Sequence, residues 1–253
     1  MKFDTNIFAA AFEAVRNSWK FFFGIIAILF LLDAFNMFYD LGNSITVAKG
    51  FAESGIVFYA CVVLLGFTME EPDLNKKYTG FMFRYLLLLY APVIVVSLLI
   101  AMLSNSAFQG DQEARNAFLG LVVVVSAITY FLTMFLFGTL FPALVLGIRK
   151  GIGSAVTRSF RQAGYMIPRL VLGVGLFNVI PFAVLIIAEN IGVGSDPLTA
   201  TGAPDLAGAC VLALVKLTSG FSLVIFAVIV CRAYLRDLSN LGELPTSDAE
   251  VFA

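Results

Sequence analysis

Three ionisable side chains stand out inside the long apolar runs of this 253-residue chain, Asp33, Glu189 and Lys216, while Glu53 sits at the beginning of another run. A charge in hydrocarbon costs about 3 kcal/mol or more, so each such residue needs a partner, a route to water or a function. Asp33 and Lys216 carry opposite charges. Together they could form a buried ion pair, or a pair that couples a proton or a substrate. Lys216 could instead extend its four-carbon stem to the outer headgroups. Glu189, near the outer end of its run, is the competing partner for Lys216 and is also placed to reach the interface or water.

A second set of charges points to surface chemistry. Arg149, Lys150, Arg158 and Arg161 lie between two apolar runs with no acid among them. At helical spacing Ile152, Ala155, Val156, Ser159, Phe160 and Ala163 share one stripe. Ser154, Thr157, Arg158, Arg161 and Gln162 share the other. That is the pattern of a helix lying in a membrane interface, with the four cations toward anionic phospholipid headgroups.

The remaining chemistry is sparse. The chain has no histidine, which removes the commonest general base and metal ligand. Cys61, Cys210 and Cys231 all lie in apolar runs without CxxC spacing, and they read as buried small hydrophobes. No nucleophile–base set or metal-ligand pattern is visible. The expectation is a chain with no catalytic, metal or cofactor-binding residues, and with no cofactor.

The elements that must position these charges are membrane helices. Hydrophobic residues make up 60% of the chain and charged ones only 13%, about half the charge of a soluble domain. The net charge of −1 argues neither for nor against a nucleic-acid partner, and no nucleic-acid signal is present. The apolar runs predict six spans at 21–39, 51–69, 84–104, 118–147, 169–190 and 207–235. The fourth is long enough to cross the bilayer and project beyond it. Asp4 or Thr5 is expected to cap an amphipathic helix running to about Lys20. Its apolar stripe is Ile7, Phe8, Ala11, Phe12, Val15 and Trp19. Pro92, Pro142 and Pro181 read as determinants of helix shape, and Gly147-xxx-Gly151 and Gly173-Val-Gly175 as close-packing positions. The fold class is therefore all-α, a polytopic bundle of about six spans with two cytoplasmic interfacial helices.

Placement of lysine and arginine sets the expected orientation. Lys2, Arg16 and Lys20, then Lys76, Lys77 and Arg84, then the basic stretch, then Arg232 and Arg236 all fall on one side. The other loops hold only Lys49 and Arg115. Six crossings with both termini in the cytoplasm fit this alternation. Span one then carries Asp33 about 18 Å deep, and span six carries Lys216 to nearly the same level. Residues 1–240 read as one transmembrane domain and 241–253 as a short acidic tail. Ala14-Val-Arg-Asn-Ser-Trp-Lys20 echoes Ala155-Val-Thr-Arg-Ser-Phe-Arg161, which suggests duplicated units beginning near 5 and 150, with chance similarity the alternative.

The Phe141-Pro-Ala-Leu-Val turn, the following glycine and Ser154-Ala-Val-Thr-Arg-Ser-Phe-Arg161 resemble the membrane domain of bacterial glycerophosphoryl diester phosphodiesterases. They also resemble related six-helix inner-membrane proteins of poorly defined function. The match concentrates in residues 141–175, with a weaker echo near 11–32. In those phosphodiesterases catalysis belongs to a separate soluble barrel, for which this chain has no room. The resemblance implies the fold and a bacterial inner-membrane location, and carries over no catalytic residue. Two function classes follow. One is a non-enzymatic scaffold that contacts lipid, a membrane-protein partner or a second copy of itself. The other is a small secondary transporter or channel using Asp33 and Lys216.

Overall fold

The computed structural model describes residues 6–39, 43–67, 74–107, 112–148, 151–199 and 202–242. Six helices are long and apolar enough to cross a bilayer, and the chain is a polytopic helical bundle. Such a segment must satisfy its backbone internally, and only a helix does so within one span. Among the described residues the only β pairing is a single bridge, Leu198 to Pro204.

The first helix, α1 (Ile7–Asn17), is capped by Asn6, whose side chain accepts from the Phe8 amide at 2.9 Å. The expected caps Asp4 and Thr5 lie outside the described residues. It stops short of Lys20 because Ser18 leaves helical geometry, and Lys20 belongs to α2 (Trp19–Tyr39). Helix α3 (Asn43–Leu64) crosses back. The third crossing joins α4 (Leu74–Tyr85), a π-helical stretch over Leu86–Tyr90, and α5 (Ala91–Ala107). The widened turn sits just before Pro92, whose ring would otherwise press on the Leu88 carbonyl of a regular helix.

Helix α6 (Gln112–Phe137) is the fourth crossing. It ends at Phe137, ten residues before the end of the expected span at 147. The chain turns at Gly138 and continues as the short α7 (Leu140–Val145). A Cβ at Gly138 would meet the Met134 carbonyl and come within 2.6 Å of a Val230 methyl. Only glycine lets this elbow pack so closely on the last helix. Gly147 and Gly151 face open space and are not close-packing positions; Gly147 adopts φ of +73° in the turn that follows α7. Gly173 does pack closely, with a Cβ position 2.9 Å from Ile225.

Helix α8 (Ile152–Arg161) precedes the fifth crossing, made of α9 (Ala163–Arg169), a π-helical stretch over Leu170–Gly175, and α10 (Leu176–Asn190). The last helix, α11 (Leu206–Leu241), starts on Asp205, which accepts from the amides of Ala207 and Gly208. Its 36 residues extend about 54 Å, against a hydrocarbon core of about 30 Å. The longest helix is thus the sixth and not the fourth. It runs to Leu241, into the stretch expected to be tail; residues 243–253 lie outside the described residues.

The bundle is built around α11 and α3. More than half of each of these spans is buried, against about a fifth of each of the other four. Along α11 every residue from Ser222 to Cys231 is buried, the mark of a helix surrounded by protein on all sides. Cys61 and Cys231 are in this core as expected, whereas Cys210 is exposed on the early turns of α11.

Candidate functional site

Two clusters of charge lie at different levels of the bundle. In the half near the start of α11, Lys216 forms an ion pair with Asp33 of α2. Span counting in the sequence brought these two together, and the structure does the same. It adds a third member. Lys49 of α3 also pairs with Asp33, so one carboxylate lies between two ammonium groups. All three side chains are more than 70% shielded. One helical turn along α3, Glu53 accepts a hydrogen bond from the Tyr90 hydroxyl of the first π-helical stretch. Two cations and two anions therefore balance within this region. Glu189 is exposed near the end of α10, and the ion pair of Lys216 goes to Asp33 instead.

Lys49 and Glu53 were legible as charges but not as partners. Lys49 reads as a loop cation because the apolar run of span two begins at Phe51. The helix in fact begins at Asn43, which places Lys49 and Glu53 on consecutive turns of one face.

Several polar residues of the spans bond to one another or to their own helices. Ser97 and Ser126 join α5 to α6 at 2.9 Å, and Asn178 donates to Ser222 at 3.1 Å between α10 and α11. Thr129, Thr133 and Thr218 bond back to carbonyls of their own helices. These are the ordinary interhelical and self-satisfying bonds of membrane helices, each worth well under about 2 kcal/mol.

The second cluster corrects the reading of α8. Its buried positions are Ala155, Arg158 and Ser159, with Gln162 just beyond its end, while Ile152 and Phe160 are 50% and 62% exposed. The helix is turned so that part of its polar stripe meets the bundle. Arg158, expected at lipid headgroups, is only 2% exposed. Its Nε donates to Asp237 at 3.3 Å, its Nη1 to the Thr139 carbonyl at 3.0 Å, and its guanidinium lies 4.4 Å from the Tyr234 ring centroid.

The physical cause is the elbow at Gly138. Ending α6 there leaves the Leu136 carbonyl without a donor in its own helix, and α8 supplies one. Ser159 donates to the Leu136 carbonyl and Arg158 to that of Thr139, while the Thr139 hydroxyl donates to Ala155. Arg161 reaches the same Asp237 oxygen at 2.8 Å, but its side chain stays 48% exposed. Of the four headgroup candidates, Arg161 keeps a partly open surface, Arg158 does not, and Arg149 and Lys150 lie outside the described residues.

Around this cluster the same end of the bundle is strongly basic. Arg169 and Arg236 stack on Tyr165 with centroid distances of 4.1 and 4.7 Å. Lys76, Lys77 and Arg84 of α4 line a cleft against α7 and the start of α8. Neither that cleft nor the small cavity under α1 and α2 is lined by Asp33 or Lys216. Among the described residues no group of three or more potential metal ligands occurs. Comparison with protein families, curated proteins and solved structures found no match.

Proposed function

We propose that this chain is a non-enzymatic, multi-pass protein of a bacterial inner membrane. It acts as a scaffold whose basic end lies at the cytoplasmic face and engages anionic phospholipid headgroups, alone or beside a membrane-protein partner or second copy. The observation that carries this reading is the sorting of cations along the bundle. At one end Lys76, Arg84, Arg161, Arg169 and Arg236 line clefts and surfaces. At the other, Lys49 and Lys216 are both committed to Asp33. Cations near a bilayer surface gain about 1 kcal/mol each from anionic lipid, and basic ends resist translocation. The exposed side of α8, with Ile152 and Phe160 beside Arg161, suits an interfacial helix. The resemblance of residues 141–175 to a non-catalytic membrane domain agrees with it.

A second reading rests on one observation, the balanced cluster of Asp33, Lys49, Glu53 and Lys216 within the spans. Ionisable groups at such depth occur in proton and substrate pathways. Reconstitution of the full chain in vesicles separates the two. The scaffold reading expects a higher unfolding midpoint with anionic than with zwitterionic lipid, a difference that shrinks with salt, and no flux of protons or small solutes. Flux that Asp33→Asn abolishes in a still folded protein would establish transport instead.

A further inference from the structure

The cleft between α4 and α7 has the composition of an amphiphile site. Its volume is about 980 Å³, at the upper end of the roughly 300–1,000 Å³ that ligand pockets occupy. One wall is the face of α4 that carries Lys76, Gly80 and Arg84 at successive turns, followed by Leu87. The other is apolar, with Leu140 and Leu144 of α7 and then Ile148. Among the described residues no acid lines it, and no ion pair reaches Lys76 or Arg84. Glu70, Glu71 and Asp73, which precede α4 in sequence, lie outside the described residues.

Gly80 decides the shape. A Cβ there would meet nothing within 4 Å, so the space between the two cations is unfilled. Lys76 and Arg84 stand about 12 Å apart along the helix axis. Their side chains are long enough to share one anion above Gly80. Arg84 presents the planar donor fork that fits a phosphate, and Lys76 a mobile ammonium. Beyond Arg84 the lining is apolar, with Leu87 and Leu88 on one side and Leu140 and Leu144 on the other.

We propose that this cleft is a binding site for one anionic glycerophospholipid, its phosphate between Lys76 and Arg84 and an acyl chain against Leu87, Leu140 and Leu144. Such a lipid reaches the cleft only if the basic end lies at a membrane face, so the site rests on the reading given under Proposed function.

The test uses the full chain released from membranes in mild detergent, with retained lipid counted by native mass spectrometry. Phosphatidylglycerol and phosphatidylcholine serve as the anionic and zwitterionic probes. The wild-type protein should hold one phosphatidylglycerol in preference to phosphatidylcholine. Lys76→Gln with Arg84→Gln should weaken retention about twenty-five-fold, at about fivefold per cation. Gly80→Phe keeps every charge, fills the cleft and should also release the lipid. Arg16→Gln with Lys20→Gln removes two cations of the same end, outside the cleft, and should leave retention unchanged. Equal retention of both lipids, insensitivity to both cleft variants, or equal loss in the Arg16/Lys20 variant would each overturn the site. A photoreactive phosphatidylglycerol on the wild-type protein removes any dependence on variant folding. Crosslinks in Leu74–Tyr85 and Leu140–Val145 support the cleft, and crosslinks only elsewhere overturn it. Loss of the site with the vesicle preference intact would leave the scaffold reading standing. A retained lipid without any vesicle preference would do the reverse.

Discussion

Replacing Arg158 by alanine tests how the basic end is held together. The Asp237 side chain is 4% exposed and that of Arg158 3%. Removing one partner of so buried a pair costs up to about 3–5 kcal/mol, and less here because Arg161 still bonds the same Asp237 oxygen. The Thr139 carbonyl loses its guanidinium donor but keeps the first helical donor of α7, of which Thr139 is the N-cap. The Tyr234 ring loses a desolvated cation, worth about 2 kcal/mol. These effects overlap and do not add, so the expected loss is at most about 3–5 kcal/mol in total. Arg161 bonds the same oxygen at a shorter distance, but it is 48% exposed. Arg161→Ala should therefore cost only about 0–1 kcal/mol. Unfolding in mixed micelles with increasing denaturing detergent gives both values on one scale. The double variant Arg158→Met with Asp237→Asn should recover part of the loss, since neither charge is then stranded. If Arg158→Ala costs no more than Arg161→Ala, the burial of Arg158 carries none of the weight given to it.

Three further outcomes follow from the same geometry. Asp33→Ala should lower the folded yield more than Lys216→Ala, because it strands both Lys49 and Lys216. The swap Asp33→Lys with Lys216→Asp sets an ammonium against that of Lys49 and should fail unless Lys49 is also neutralised; recovery by the swap alone would exclude the three-residue cluster. Gly138→Ala should destabilise by about 1–3 kcal/mol through overpacking against Val230, and Gly80→Ala, which faces open space, should be neutral or stabilise by about 0.5–1 kcal/mol. In a cysteine-free background, a cysteine at Ser195 should react with an impermeant reagent from outside and one at Ser154 or Asn75 should not; the opposite pattern would reverse the orientation.

What the sequence alone determined here is set by the bilayer. Hydrocarbon leaves the backbone no option but helix, so run length and apolarity sufficed for the six crossings. The depths of Asp33 and Lys216 were also legible, because a helix rises a constant distance per residue and depth can be counted from the span ends. The direction of a side chain around its helix was not. Periodicity showed that Arg158 and Arg161 share a stripe of α8, but lipid tails are as apolar as a protein interior. A stripe therefore does not reveal which side meets the bundle. That choice came from the elbow at Gly138, where the Leu136 carbonyl takes Ser159 and the Thr139 carbonyl takes Arg158. The elbow in turn depends on Val230 and Phe226, some ninety residues later in the chain. Lys49 joined Asp33 for a similar reason. Nothing in Thr46-Val-Ala-Lys-Gly50 specifies a carboxylate on another helix, and only the packing of α2, α3 and α11 around one another brings it there.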